Sequence, residues 1–246
     1  MPQKEAPMKV QNLPQGTLVM VCAALALART MAAEPVKEWW QGFEIGTRVT
    51  WTYLTDNKRP VSATTESMGS FYGSINQLDV NQNYLPLKLF VDYSFCPYGG
   101  IELAWDSLSV KTLTRSDGHT DGDVNLWGPA LSAFVRLPLE YGLTPYTGAG
   151  LSYYSVSFDE DPAWHKPPNR PLVQTMDFDR TWGVLIYGGL MWTFAEHWAA
   201  DFHVRYTKVQ DAVGTHWQGP EGKDFGGEPH IPLSNITTGL GVRYSF

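Results

Sequence analysis

Apolar and polar residues alternate with a period of two in eight separate stretches of the chain. Residues 43–53 place Phe43, Ile45, Val49, Trp51 and Tyr53 on one face and Glu44, Arg48, Thr50 and Thr52 on the other. Residues 85–95 set Leu85, Leu87, Leu89, Val91, Tyr93 and Phe95 against Lys88, Asp92 and Ser94. Ile101, Leu103 and Trp105 oppose Glu102 and Asp106, and in 127–137 Trp127, Leu131, Ala133, Val135 and Leu137 oppose Ser132 and Arg136. The stretch 144–158 is strand-like, with two faces that resemble each other. Trp182, Val184, Ile186, Leu190, Trp192 and Phe194 then alternate with small residues. Trp198, Ala200, Phe202, Val204 and Tyr206 oppose Asp201, His203 and Arg205. Ile236, Thr238, Leu240, Val242, Tyr244 and Phe246 oppose Asn235, Thr237 and Arg243. A period of two is the signature of strands with one face in an apolar medium. Each stretch also approaches the roughly 9–11 residues with which a tilted strand crosses a bilayer.

The connections between these strands alternate in length. Short turns are expected at 96–99, 139–143 and 195–197, and long polar segments at 54–83, 109–124, 159–179 and 208–234. In an up-and-down barrel this puts every short turn on one side and every long loop on the other, the asymmetry of outer-membrane barrels. The expected fold is therefore all-β: an eight-stranded antiparallel up-and-down transmembrane β-barrel. It would have short turns and both termini in the periplasm and long loops outside the cell.

Alternation alone also fits a soluble barrel with its apolar face inward. Two features favour the lipid-facing arrangement. Aromatic residues gather near strand ends, at Trp51, Tyr53, Tyr93, Phe95, Trp105, Trp127, Trp192, Phe194 and Trp198, as in the girdles at membrane–water interfaces. The chain also stops on its final strand. The polar face then points inward and carries Glu44, Asp92, Glu102, Asp106 and Asp201 with Arg48, Lys88, Arg136, Arg205 and Arg243. Enclosed charges are costly unless paired, so these ten residues are expected to form a charged plug rather than line a clear channel.

Composition removes other classes. The chain has 246 residues with 43% hydrophobic and 17% charged content, too apolar for a disordered protein. Its scattered 18 Lys+Arg against 25 Asp+Glu leave no basic footprint for nucleic acid. Residues 1–33 read as a signal peptide to be removed: Lys4 and Lys9, an apolar core from Thr17 to Ala28, and small residues at Ala32 and Ala33. Residues 34–246 are then the barrel domain. That domain keeps one cysteine, Cys96, so no disulfide within the chain staples it.

Several segments resemble those of a known group. They are Gly100-Ile101-Glu102-Leu103, the run TPYTGAGLSY at 144–153, Thr181-Trp182-Gly183 leading to Gly188-Gly189, and the closing GLGVRYSF at 239–246. On these the chain resembles the small eight-stranded outer-membrane proteins of Gram-negative bacteria, most closely the OmpW-like family. The resemblance implies residence in the outer membrane, with its lipid and lipopolysaccharide as surroundings, and passage of small hydrophobic molecules through a narrow barrel. It also implies that Val242, Tyr244 and Phe246 form the signal read by the outer-membrane assembly machinery. The long first connection, rich in Ser, Thr and Asn, departs from the family pattern.

No residue pattern points to catalysis, a metal or a cofactor. A lipid A deacylase-like pair is missing, because His203 is followed by Val204 and Arg205. Ser116, Asp117 and His119 are adjacent in sequence, which is not catalytic geometry. Asp117, Asp121 and Asp123 begin like a calcium loop, but Gly128 stands where the bidentate Glu belongs. His165, His216 and His230 lack ligand spacing for zinc. The expectation is a non-enzymatic conduit or structural envelope protein. A lipid A-modifying enzyme and an adhesin or receptor working through its loops are the alternatives.

Overall fold

The computed structural model describes residues 42–55, 75–80, 87–114, 120–160, 174–218, 223–224 and 230–246. The leader at 1–33, Leu85, and the residues Ser116, Asp117, His119 and His165 lie outside the described residues. Among these residues thirteen strands follow one another: β1 (Phe43–Leu54), β2 (Ile75–Val80), β3 (Leu87–Cys96), β4 (Gly99–Thr114), β5 (Thr120–Arg136), β6 (Leu143–Glu160), β7 (Gln174–Phe178), β8 (Thr181–Ala195), β9 (Trp198–Val209), β10 (Ala212–Gln218), β11 (Lys223–Asp224), β12 (His230–Ile231) and β13 (Asn235–Ser245).

Eight of them close a barrel in the order β1-β3-β4-β5-β6-β8-β9-β13, with β13 returning to β1, and every pairing is antiparallel. Closure leaves these eight strands without a free edge along the ring they form. One rim carries the tight turns after β3, β5 and β8. At that rim Phe246 N–H donates to the Phe43 carbonyl (3.2 Å) and Ser245 N–H to the His197 carbonyl (2.9 Å), tying the two ends of the barrel together. No helix among the described residues is long and apolar enough to cross a membrane; the strands do the crossing.

The outer face is a belt of bare hydrocarbon. Leu103, Leu131, Ile186 and Leu240 are 53%, 56%, 52% and 54% exposed, with Leu89, Leu151 and Phe202 beside them. An apolar surface continuous around a barrel belongs in lipid, since patches of this extent are rare on water-soluble proteins. Trp51, Tyr53, Trp105, Trp127 and Trp182 border the belt toward the loop rim, and Phe95, Trp192, Phe194 and Trp198 border it toward the turns, all exposed. Trp105 stacks on Trp127 with ring centroids 6.0 Å apart, and Tyr153 leans on Trp182 at 4.5 Å.

The segments expected to be loops differ most from the sequence reading. Residues 109–124 are not a long loop. β4 runs to Thr114 and β5 starts at Thr120, so the hairpin continues past the aromatic border with only 115–119 between its strands. β7, β10, β11 and β12 likewise place strand residues inside 159–179 and 208–234, and β2 places them inside 54–83. β2 pairs with the far end of β4, and β10 pairs with β7, β11 and β12.

In this extension the faces exchange character. Below the border, apolar residues point out and polar ones in. Above it, Asp123, Asn125, Ser157 and Asp159 lie on the outer face while Val110, Val124, Leu126, Val156 and Phe158 are buried inside. The membrane thus ends where the alternation changes phase, between Trp105 and Leu108 on β4 and between Leu126 and Trp127 on β5. Leu131→Arg, in the belt, should cost about 2–4 kcal/mol of barrel stability, whereas Ser157→Arg, above it, should cost about 0–1 kcal/mol. Equal loss in urea titrations of refolded protein would mean that the border is misplaced.

Candidate functional site

Eight strands leave an interior that side chains can fill, and here charged groups fill it. Glu44, Arg48, Lys88, Asp92, Glu102, Asp106, Asp201, Arg205 and Arg243 are all buried, and Arg136 is half-buried near the turn rim. The strand registers set like charges side by side. Glu44 pairs across with Asp92, and Asp92 with Glu102, so three carboxylates form one row over β1, β3 and β4. Arg48 sits opposite Lys88. Adjacent like charges on a sheet are destabilising, so the neutralising partners must come across the lumen.

They do so in two separate networks. In the first, Arg48 donates through Nη2 to Glu102 Oε2 (2.8 Å) and through Nε to Asp201 Oδ2 (2.5 Å). Arg243 donates to Asp92, to Glu44 (3.4 Å) and to Asp201 (3.4 Å). Arg136 binds Glu44 at 2.5 Å and the Pro97 carbonyl at 3.1 Å. The Tyr146 hydroxyl donates to Asp201 Oδ1 at 2.5 Å and lies 3.3 Å from His203 Nδ1. Phe90 packs between the two central guanidiniums, 3.8 Å from that of Arg48 and 4.8 Å from that of Arg243. Its ring leans on Gly46, where an added Cβ would lie 2.2 Å from Phe90 Cζ. A side chain at position 46 would push this cation–π contact apart.

The second network lies nearer the loop rim. Asp106 accepts from Lys88, from Arg205 Nη2 (2.6 Å) and from the Tyr154 hydroxyl (2.7 Å). Each network borders a cavity of about 10 Å³, space for about one water molecule. Beyond the second network, toward the loop rim, the lumen becomes apolar: Val110, Val124, Leu126, Val209, Ile231 and Leu233 are almost fully buried there. Two layers of ion pairs therefore cross the lumen beneath an apolar cluster.

Beside that cluster the β5–β6 ladder skips two positions, although the two backbones stay in contact. β5 pairs with β6 at Trp127↔Ser155 and resumes in the same register at Ala130↔Ser152, with no pair at Gly128 and Pro129. Pro129 has no N–H to give. On its other side β5 pairs with β4 through both residues. A Cβ at Gly128 would lie 2.0 Å from the Tyr153 carbonyl oxygen, so only glycine lets the β6 backbone pass here.

The lumen also holds residues the sequence reading did not assign to it. Tyr146, Tyr154, Tyr187, Phe90 and Met191 point inward, and Tyr187 shares a hydrogen bond with Ser132 (3.0 Å). β8 therefore does not alternate with small residues throughout: Leu185, Tyr187 and Met191 are buried. Inward aromatics on β6 are also what made its two faces look alike. At the end of the chain, Val242 faces the belt, and the Tyr244 ring lies 5.1 Å from Trp198 and 5.2 Å from an exposed Phe246. No cluster of His, Cys, Asp and Glu among the described residues has the arrangement of a metal site.

The closed barrel is shared with solved structures. OprG from Pseudomonas aeruginosa superposes with a TM-score of 0.60 at 19% identity, covering 83% of this chain and 96% of that one. The outer membrane protein AlkL, solved in DMPC lipid bilayers, gives 0.59 at 16% identity, covering 87% and 95%. No curated protein matches the sequence. Residues 20–246 match the family described as the outer membrane protein beta-barrel domain, and the chain belongs to that family of membrane barrels.

Proposed function

We propose that this protein is a non-enzymatic conduit for small hydrophobic molecules, which enter at the loop rim and leave sideways into the outer leaflet. In this reading the turns face the periplasm and the strand extensions stand outside the cell. The observation that carries it is the break in β5–β6 pairing at Gly128 and Pro129, level with the outer aromatic border. Inside that break lie Leu126 and Tyr154 of the apolar compartment; outside it lie Trp127 and Tyr153 at the edge of the lipid belt. A hydrophobic solute gains from each step of such a route. The ion-paired layers below it make passage down the axis costly.

The route is tested with outer-membrane vesicles and the neutral fluorescent probe N-phenyl-1-naphthylamine, whose passive entry the lipopolysaccharide leaflet slows. Vesicles carrying the protein should take it up faster than empty ones. Pro129→Val, which supplies an N–H and lets the ladder close, should bring the rate back toward that of empty vesicles. Uptake that does not depend on the protein would dismiss the conduit.

A further inference from the structure

The two ion-pair networks are not each neutral. Among the described residues, the one nearer the turns joins three bases, Arg48, Arg136 and Arg243, to four acids, Glu44, Asp92, Glu102 and Asp201. The one nearer the loops joins two bases, Lys88 and Arg205, to the single acid Asp106. The ten residues together are neutral, but the network directly under the apolar cluster carries one surplus positive charge and the one nearer the turns one surplus negative charge. Asp106 cannot absorb the surplus positive charge, because its oxygens already accept from Lys88, Arg205 and Tyr154. Arg205 is 6% exposed, and its Nε–H has no hydrogen-bond partner. A buried guanidinium N–H without an acceptor is a standing cost, and an anionic oxygen would relieve it.

A place for that oxygen exists. The cavity beside this network is bordered by Lys88, Arg205, Thr52, Asn235, Thr237 and the Asp106 carboxylate itself on its polar side. Leu108, Leu126 and Tyr154 border it too, and these three belong to the apolar compartment or pack against it. The cavity thus sits where the Lys88–Asp106–Arg205 network meets a packed apolar cluster. Its volume of about 10 Å³ is space for about one water, which one oxygen of an anionic head would replace. One surplus charge is balanced by a monoanion, whereas a dianion would reverse it.

On the conduit reading, we infer that the preferred solutes are amphiphiles with a single carboxylate, of the fatty-acid class. The head docks at Lys88 and Arg205 and the tail extends toward the apolar cluster, displacing side chains there. Asp106 sets the selectivity: it holds both cations in place and leaves one of their charges for the ligand.

The test is equilibrium binding of radiolabelled dodecanoate and dodecanol to the barrel in nanodiscs, with empty nanodiscs subtracted, at a pH where the carboxylate is fully ionised. The two probes share a tail and differ in head charge. The wild type should bind dodecanoate about tenfold more tightly, the effect of one charge-assisted hydrogen bond. Lys88→Met removes the surplus charge and should bring the affinity ratio to about one. Asp106→Asn doubles the surplus and should raise the ratio, so the two variants move it in opposite directions. Heat-dependent gel migration establishes that each variant is folded. Equal binding of the two probes, with a ratio neither variant changes, overturns the head-group assignment and leaves the hydrophobic conduit standing. Binding of neither probe overturns the conduit as well.

Discussion

Arg243→Ala should destabilise the barrel by about 3–5 kcal/mol, the usual penalty for breaking a buried ion pair from one side. Arg243 reaches Asp92, Glu44 and Asp201, and it is 4% exposed. Without it, two bases face four acids around the carboxylate row of β1, β3 and β4. The shift from folded to unfolded gel mobility should come at a temperature lower by on the order of 10 °C. The partner substitution should behave differently. Asp92→Asn leaves three bases and three acids, and Asp92 Oδ1 has no hydrogen-bond partner to lose. It should therefore leave the transition within about 1 kcal/mol of wild type. If both variants lose stability alike, the surplus acid in this network is not real.

Val124→Asp is the second change with a large expected effect, and its damage should be local. Val124 is fully buried, opposite Val110 on β4 and Phe158 on β6, in the compartment above the lipid belt. A lone carboxylate there has no cation among the described residues of the apolar cluster, and an uncompensated buried charge costs about 3–5 kcal/mol. The strand extensions should open while the belt stays inserted. Limited proteolysis of the purified protein should then cut near the β4–β5 tip, and the heat-dependent migration should persist. Loss of the migration shift together with the cuts would mean that the extension and the belt fold as one unit.

The strands whose two faces differ in kind were legible in the sequence. On β1, β3, β9 and β13 the lipid side is apolar and the lumen side carries Glu44, Arg48, Lys88, Asp92, Asp201, Arg205 and Arg243, so both face and boundary follow from the period of two. β4 and β5 were cut short because the apolar set changes parity at the membrane border. Val110 and Val124 continue the strands on the opposite face from Trp105 and Trp127, and a reading that requires one phase ends there. β6 was ambiguous because Tyr146, Tyr154 and Phe158 fill the lumen and match the apolar character of the lipid side. The charged residues were visible individually, but their partners were not. Arg48 and Asp201 are 153 positions apart and meet only because the closed sheet curls them across the lumen. The division into two networks of unequal charge depends on that curl, and so does the break at Pro129.

Single-channel recording in planar bilayers tests the central claim, that the axis is closed by ion pairs. Purified wild-type protein should insert without steady conductance above that of the bare bilayer, and Arg243→Ala should open discrete ion-conducting steps. A wild-type barrel that already conducts steadily, with Arg243→Ala no different, would contradict the account and replace the plug with a water-filled pore.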